Sequence, residues 1–343
     1  MEPSISRNVL VTGATGYIGK HIVRQLLDDG HAVVGSARSA ASDAEICAAL
    51  SPALKDPSAL KNYRTVQLDL TDDHGWSDAC DGIDVMMHTA SPFPIVQPKD
   101  PDEAVRPAVD GTIRALNAAK TAGITNVVIT SSSVAIMDPP EERDIYSEAD
   151  WTDPDKPGLT PYARSKTLAE RAAWDFVGDI APDIRLSVIN PTFVQGAPLG
   201  ANYGTSIQLI ERILRGKDPM LPRAGFSTCD VRDVALAHIR AMERPEAAGH
   251  RHLIVDRFLW FADFARIINE AVPGAKAPKR VAPDLLIRFL GLFDSGIRSI
   301  TSSLGRATRS DNTRMREVLG IEPRDARESV GEGARWLRAS GIA

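Results

Sequence analysis

Cysteine is scarce: Cys47, Cys80 and Cys229 are the only three in 343 residues, far apart and in no Cys-x-x-Cys pair. Their scarcity argues against a disulfide framework and a thiolate zinc site, and suits a reducing compartment. An excess of positive charge is also missing. Forty Lys and Arg against 45 Asp and Glu leave a net charge of −5, so the electrostatic footprint of a general nucleic-acid binder is absent. No apolar run reaches the ~20 residues that cross a bilayer. The opening Met1-Glu2-Pro3-Ser4 lacks the basic start of a secretory signal. The chain is therefore expected to be soluble and cytoplasmic, with neither a nucleic-acid nor a membrane partner. Internal repeats and low-complexity tails are lacking too. With 43% hydrophobic and 25% charged residues, the composition is that of a folded globular protein.

What is present is alternation. Runs rich in Val, Ile, Leu, Met and Thr over Asn8–Thr12, Ala32–Ser36, Thr65–Leu68, Val85–Thr89 and Asn126–Ser131 read as strands covered on both faces. Amphipathic stretches such as Tyr17–Asp29 and Pro101–Ala122 separate them. A helix over Thr160–Asp179 leads to a sixth strand at Arg185–Asn190, and His252–Val255 is a candidate seventh. This βαβ order predicts an α/β fold with a Rossmann-type, doubly wound parallel sheet. Pro191–Pro222 is rich in Gly and Pro around one helix near Thr205–Arg215. Apolar helical runs follow at Pro283–Leu292 and Ala326–Ala339, with Ser299–Ser310 loop-like between them. These features predict a smaller C-terminal substrate-binding lobe.

Gly13-Ala14-Thr15-Gly16-Tyr17-Ile18-Gly19 directly follows the first strand and opens the first helix. Glycines there permit a tight turn, close approach of backbone to a pyrophosphate, and tight packing of helix on strand. The helix amino terminus then aims free N–H groups at the anion. Thr12 and this turn are therefore candidate dinucleotide contacts. At the tip of the second strand stands Gly35-Ser36-Ala37-Arg38-Ser39, without the carboxylate that would hold a ribose 2′-hydroxyl. A guanidinium grips a phosphate, so Arg38 favours NADPH over NADH, although Asp43 and Glu45 lie close by. Asp69 and Leu70, after the third strand, are placed to meet the adenine; the plainer reading of Asp69 is an Asx turn. On this reading residues 1–190 form the NADP-binding domain. Residues 191–343 form mainly the substrate lobe, with 228–258 returning to the main sheet.

Tyr162-Ala163-Arg164-Ser165-Lys166 sits in the first turns of a predicted helix, where positions i and i+4 share a face. A tyrosine is a poor acid or base near neutrality. A neighbouring ammonium is expected to stabilise the phenolate and lower that pKa, which suits proton transfer. Thr130-Ser131-Ser132-Ser133 lies where the fifth strand runs out, on the same sheet edge as the glycine turn. His250 and His252 alternate along a strand but have no third partner, so no metal is expected.

Together these motifs resemble the extended (atypical) short-chain dehydrogenase/reductases, in the branch of dihydroflavonol reductases, cinnamoyl-CoA reductases and yeast-type aldehyde/ketone reductases. His88-Thr89-Ala90-Ser91-Pro92, Val128-Ile129-Thr130-Ser131-Ser132, Ser165-Lys166-Thr167-Leu168-Ala169-Glu170-Arg171-Ala172-Ala173-Trp174, Asn190-Pro191-Thr192 and Val231-Arg232-Asp233-Val234-Ala235 carry the resemblance alongside the glycine turn. It implies that Ser132 polarises a carbonyl, that Tyr162 donates the proton, and that Lys166 binds the nicotinamide ribose while tuning Tyr162. It also implies that Thr89, Ala90 and Ser91 line the cofactor groove and that Pro191 and Thr192 flank the carboxamide. Two departures bear on substrate. Leu159-Thr160-Pro161-Tyr162 replaces the Asn-Trp-Tyr-Cys-Tyr stretch of cinnamoyl-CoA reductases, which argues against a CoA thioester. Asn190-Pro191-Thr192-Phe193-Val194-Gln195-Gly196 replaces the Pro-x-Asn-x-Tyr-Gly-Pro loop of nucleotide-sugar enzymes.

Phe93, Met137, Phe193, Tyr203 and Phe226 are expected to face the nicotinamide, an apolar set suited to an aromatic or medium-sized aldehyde or ketone. Arg212, Arg215, Lys217 and Arg223 read as a solvated helix end. The expected activity is NADPH-dependent reduction of a small-molecule carbonyl by a monomer or homodimer. The alternatives are an NAD-dependent sterol or nucleotide-sugar dehydrogenase or epimerase, and a non-catalytic NADP-binding redox sensor. Such sensors commonly lose the tyrosine–lysine pair, which this chain keeps.

Overall fold

In the first strand Val9 and Val11 join one buried cluster and Leu10 another. A strand covered on both faces must be apolar at every position, because successive side chains point to opposite sides. The computed structural model describes residues 6–39, 42–91, 100, 102–138 and 145–343, and the same division recurs at Val85, Met86 and Met87. The strands are β1 (Asn8–Thr12), β2 (Ala32–Ala37), β3 (Tyr63–Gln67), β4 (Val85–His88), β5 (Asn126–Thr130), β6 (Arg185–Pro191), β7 (Phe193–Gln195), β8 (Gly225–Asp230), β9 (His250–Ile254) and β10 (Arg257–Trp260). The α-helices are α1 (Tyr17–Asp28), α2 (Ser42–Leu50), α3 (Trp76–Cys80), α4 (Asp102–Thr121), α5 (Pro161–Asp179), α6 (Thr205–Leu214), α7 (Val231–Glu243), α8 (Phe261–Ala271), α9 (Asp284–Leu290), α10 (Ser295–Ile300), α11 (Thr313–Glu317) and α12 (Ala326–Ala339).

Seven strands form a parallel sheet in the order β3-β2-β1-β4-β5-β6-β9. Helices α1 and α7 pack together against one face, and α4 and α5 against the other. The strand order reverses between β1 and β4, so a crevice opens there at the carboxyl edge, where doubly wound sheets bind ligands. The ends of β1, β4, β5 and β6 all reach that edge.

The structure differs from the sequence expectation in four places. β3 starts at Tyr63 rather than Thr65, because the Tyr63 ring lies over Gly35, where any Cβ would strike it. A second sheet of three strands, β10-β8-β7, stands beside the first, with β7 parallel and β10 antiparallel to β8. Of residues 228–258, expected to return to the main sheet, His250–Ile254 pairs with β6, while β8 and β10 pair in the smaller sheet. The stretch Ser299–Ser310, read as loop, takes in the end of α10 and a 3-10 turn at Thr301–Ser303. Among the described residues, no helix is long and apolar enough to cross a membrane.

Candidate active site

The glycine turn is shaped for a ligand by what a side chain would hit. Gly13 has φ +70°, and a Cβ there would lie 2.9 Å from the Ala90 backbone. A Cβ on Gly19 would strike the Gly13 carbonyl, so α1 packs as closely as it does only because both are glycine. Gly16 is the N-cap of α1 and brings no capping side chain, which leaves the first N–H groups of the helix pointing into the crevice. Thr12 is buried and works inward. Its Oγ1 accepts from the Thr89 and Ala90 amides, both at 3.1 Å, and lies 2.9 Å from His88 Nδ1. The carboxyl ends of β1 and β4 are thereby locked together around the turn, with Thr15 and Ile18 part-buried in it.

On the other flank, Thr160 caps α5 by accepting the Ala163 amide at 3.1 Å, and Pro161 supplies a first helical residue that needs no donor. That start places Tyr162 and Lys166 one turn apart, facing the crevice below the end of β5. Ser132 and Tyr162 share a side-chain hydrogen bond. Lys166 is buried, with His88 beneath it and Glu170 one turn on. Burial draws the Lys166 ammonium down to about 8, against a Glu170 carboxylate that raises it. Burial, helped by the Lys166 charge, drives His88 down to about 3, so this imidazole is neutral.

Tyr162 corrects one expectation. Its pKa is raised, not lowered: loss of water around the hydroxyl dominates and the Asp138 carboxylate adds to it, while the Ser132 hydrogen bond opposes. The phenol is thus held protonated. Asp138 itself is pushed up to about 6 by burial, with Lys156 opposing. Asp138 carried no signal in the sequence, since it acts through neighbours that the fold brings from elsewhere, whereas His88 stood in a recognised motif without a role of its own.

A buried ion pair underlies the trio. Arg251 Nε donates to Glu170 Oε1 at 2.5 Å, with side chains 6% and 0% exposed. The other Glu170 oxygen accepts from Ser131 Oγ at 2.5 Å and from Asn190 Nδ2 at 2.7 Å, and Asn190 Nδ2 also reaches the Ser132 carbonyl at 3.2 Å. The remaining Arg251 donors go to the carbonyls of Glu148, Asp150 and Ala135, and its guanidinium lies 3.7 Å from the Trp151 ring centre. A small cavity of about 20 Å³ remains between His88, Ser91, Thr130, Lys166 and Glu170, near the size that one water needs.

The other expected contacts divide. Arg38 is exposed at the tip of β2, with the Asp69 carboxylate within its electrostatic reach. Asp69 makes the Asx turn: its Oδ1 accepts from the Thr71 amide at 2.8 Å and hydroxyl at 2.7 Å. Leu70 packs over Gly111 of α4. Pro191 ends β6, and the Thr192 hydroxyl donates to the Ile254 carbonyl at 2.9 Å, tying that end to β9. Phe193 and Phe226 stack with ring centres 4.4 Å apart, and Phe226 remains 36% exposed. Met137 packs instead against Ile136, Tyr146, Leu253 and Val255, and its sulfur accepts from Ser310 Oγ at 3.7 Å.

Tyr17 and Tyr203 are held elsewhere. The Tyr17 hydroxyl donates to the Gly196 carbonyl at 2.8 Å, and that of Tyr203 to Glu211 at 2.9 Å with its ring edge-on to Trp336. Phe93 lies outside the described residues. The three arginines of the basic run pair with carboxylates, Arg212 with Asp218, Arg215 with Glu211, and Arg223 with Asp284, while Lys217 is exposed. His252 Nε2 is 2.9 Å from the Ala247 carbonyl. Among the described residues, no group of three or more His, Cys, Asp or Glu is arranged for a metal.

The chain is similar in sequence and in fold to known proteins. The model of the NAD dependent epimerase/dehydratase family matches residues 9–255. A cinnamoyl-CoA reductase, CAD2 of Medicago truncatula, is 35% identical over 284 residues, which cover 80% of this chain and 84% of that protein. The ketoreductase azaE of Aspergillus niger is 33% identical over 350 residues, 96% of this chain and 97% of its own. The crystal structure of the yeast methylglyoxal/isovaleraldehyde reductase Gre2 complexed with NADPH superposes with a TM-score of 0.79 at 27% identity. It covers 98% of this chain and 100% of Gre2. The chain belongs to the NAD-dependent epimerase/dehydratase family, in its extended short-chain dehydrogenase/reductase branch.

Proposed function

We propose that this protein reduces an aldehyde or ketone, aromatic or of medium size and largely apolar, to the alcohol, with Tyr162 as the proton donor. It is an NAD(P)-dependent oxidoreductase and its coenzyme is NADPH. The residues present fit that coenzyme: the Gly13 and Gly19 positions leave no room for a Cβ, and the amino terminus of α1 is uncapped toward the crevice. When bound, NADPH supplies a hydride to the carbonyl carbon. Arg38 is the cation that would meet the 2′-phosphate.

The observation that carries the reading is the Ser132–Tyr162 hydrogen bond beside a phenol kept protonated. A carbonyl oxygen entering between the two hydroxyls would accept from both. Negative charge develops on that oxygen as the carbon is reduced, so fixed donors stabilise the transition state more than the bound ketone. Tyr162 then gives its proton to the oxygen, and the buried Lys166 ammonium one turn on stabilises the phenolate left behind. The stacked Phe193–Phe226 pair supplies an apolar wall for the remainder of the substrate.

Changing Tyr162 to Phe tests this. The rate of NADPH consumption with a panel of aldehydes and ketones should fall by ~10²–10⁴-fold, while NADPH affinity measured by fluorescence titration stays within a factor of a few. Wild-type turnover by the variant would refute the assignment.

A further inference from the structure

A surface helix ordinarily presents one apolar stripe to the core and polar residues to water. Helix α9 does otherwise. Ile287 is its buried anchor, yet its outward side and the turn that follows are apolar as well: Leu285 is 82% exposed, Phe293 77%, and Phe289 and Leu292 more than half. Seven of the eleven large hydrophobic side chains that stand exposed among the described residues fall between Val281 and Phe293. Phe289 and Phe293 meet edge to face, 5.4 Å apart.

The stretch of chain that carries this ridge is charged oppositely to the molecule as a whole. The whole chain carries −5, but residues 276–310 hold seven cations against two carboxylates. Lys276, Lys279, Arg280, Arg288, Arg298 and Arg309 are all exposed. Both carboxylates are engaged: Asp284 pairs with Arg223 at 2.6 Å, and Asp294 caps α10 through the Ile297 amide.

We propose that this face is a docking surface for an anionic phospholipid bilayer, with Leu285, Phe289, Leu292 and Phe293 entering the interface and the surrounding cations resting on the headgroups. A ridge of protruding aliphatic and aromatic side chains carried on a basic stretch of chain has the composition of an interfacial segment. A second copy of the chain fits poorly, because a two-fold contact through this face would set like charges against each other. The sequence led to the expectation of no membrane partner because it holds no apolar run of spanning length, and α9 is far too short to span. Docking through this face does not depend on the proposed reaction.

The test is flotation of the full-length protein with vesicles of phosphatidylglycerol or of phosphatidylcholine. Binding is expected to the anionic vesicles, released by 0.5 M salt on the order of the screening of exposed charges, with little binding to the neutral ones. Leu285→Ser/Phe289→Ser/Phe293→Ser should lower the bound fraction at least ~10-fold, and Lys279→Glu/Arg288→Glu should do the same while leaving the apolar ridge intact. Circular dichroism melts check that both variants fold. The proposal is overturned if anionic vesicles do not float the wild type, or if both variants float as it does. It is equally overturned if the wild type is a dimer that the serine variant dissociates and no vesicle is bound, which would assign the face to self-association.

Discussion

Asp138 sits where a small electrostatic change has a defined sign. Its carboxyl is pushed up to about 6 by burial, above the ordinary carboxylate range. Between about pH 4 and 6 the folded chain therefore holds a proton that the unfolded chain has lost, so this group makes stability fall as pH rises through that window and not beyond it. Asp138→Asn should remove that fall and raise stability at pH 7 by about 1–2 kcal/mol. Urea unfolding at pH 4.5 and pH 7 measures it. The neighbouring phenol supplies an internal check, since the ionised carboxylate is one of the groups raising Tyr162.

At the scale of elements, the β1–α1 turn is the least forgiving piece. Gly13→Ala would place a Cβ 2.9 Å from the Ala90 backbone at φ +70°, a conformation that costs an L-residue roughly 1 kcal/mol or more. The turn would open, and NADPH affinity in a fluorescence titration is expected to drop more than tenfold on the order of that strain plus lost amide contacts, while α5 and its chemistry stay in place. This turn was readable in the sequence because strand, glycines and helix are contiguous; so was the Tyr162–Lys166 face, set by one helical turn. The second sheet was not. Phe193–Gln195, Gly225–Asp230 and Arg257–Trp260 are short, mix polar with apolar residues, and pair with partners up to 35 positions away, so no local period marks them. Asp138, one residue beyond Met137, is another case: only the fold brings it toward Tyr162. The outward side of α9 escaped for the opposite reason, since an apolar run reads as core when nothing local distinguishes a buried face from an exposed one.

Across the whole molecule, the Glu170–Arg251 pair joins α5 to β9 and, through Ser131, Asn190, Glu148, Asp150 and Ala135, to the segments on which Ser132 rides. Glu170 is legible as a letter of the helix, but its partner is 81 residues away, and only the fold shows the pairing. Removing one member leaves a buried charge uncompensated, so Glu170→Gln should cost about 3–5 kcal/mol. Because Glu170 raises the Lys166 ammonium against its burial, the loss of reductase activity expected near pH 8 should move to lower pH in that variant, and Glu170→Asp should restore part of it. A pH profile of turnover reads this separately from a thermal melt. The guanidinium at the centre of this junction lies over the ring of Trp151, a residue 37% exposed at the surface. The molecule thus carries its own optical gauge: with Trp151→Phe as the blank, the light emitted by that single indole reports whether the junction below it is assembled, with no dye attached.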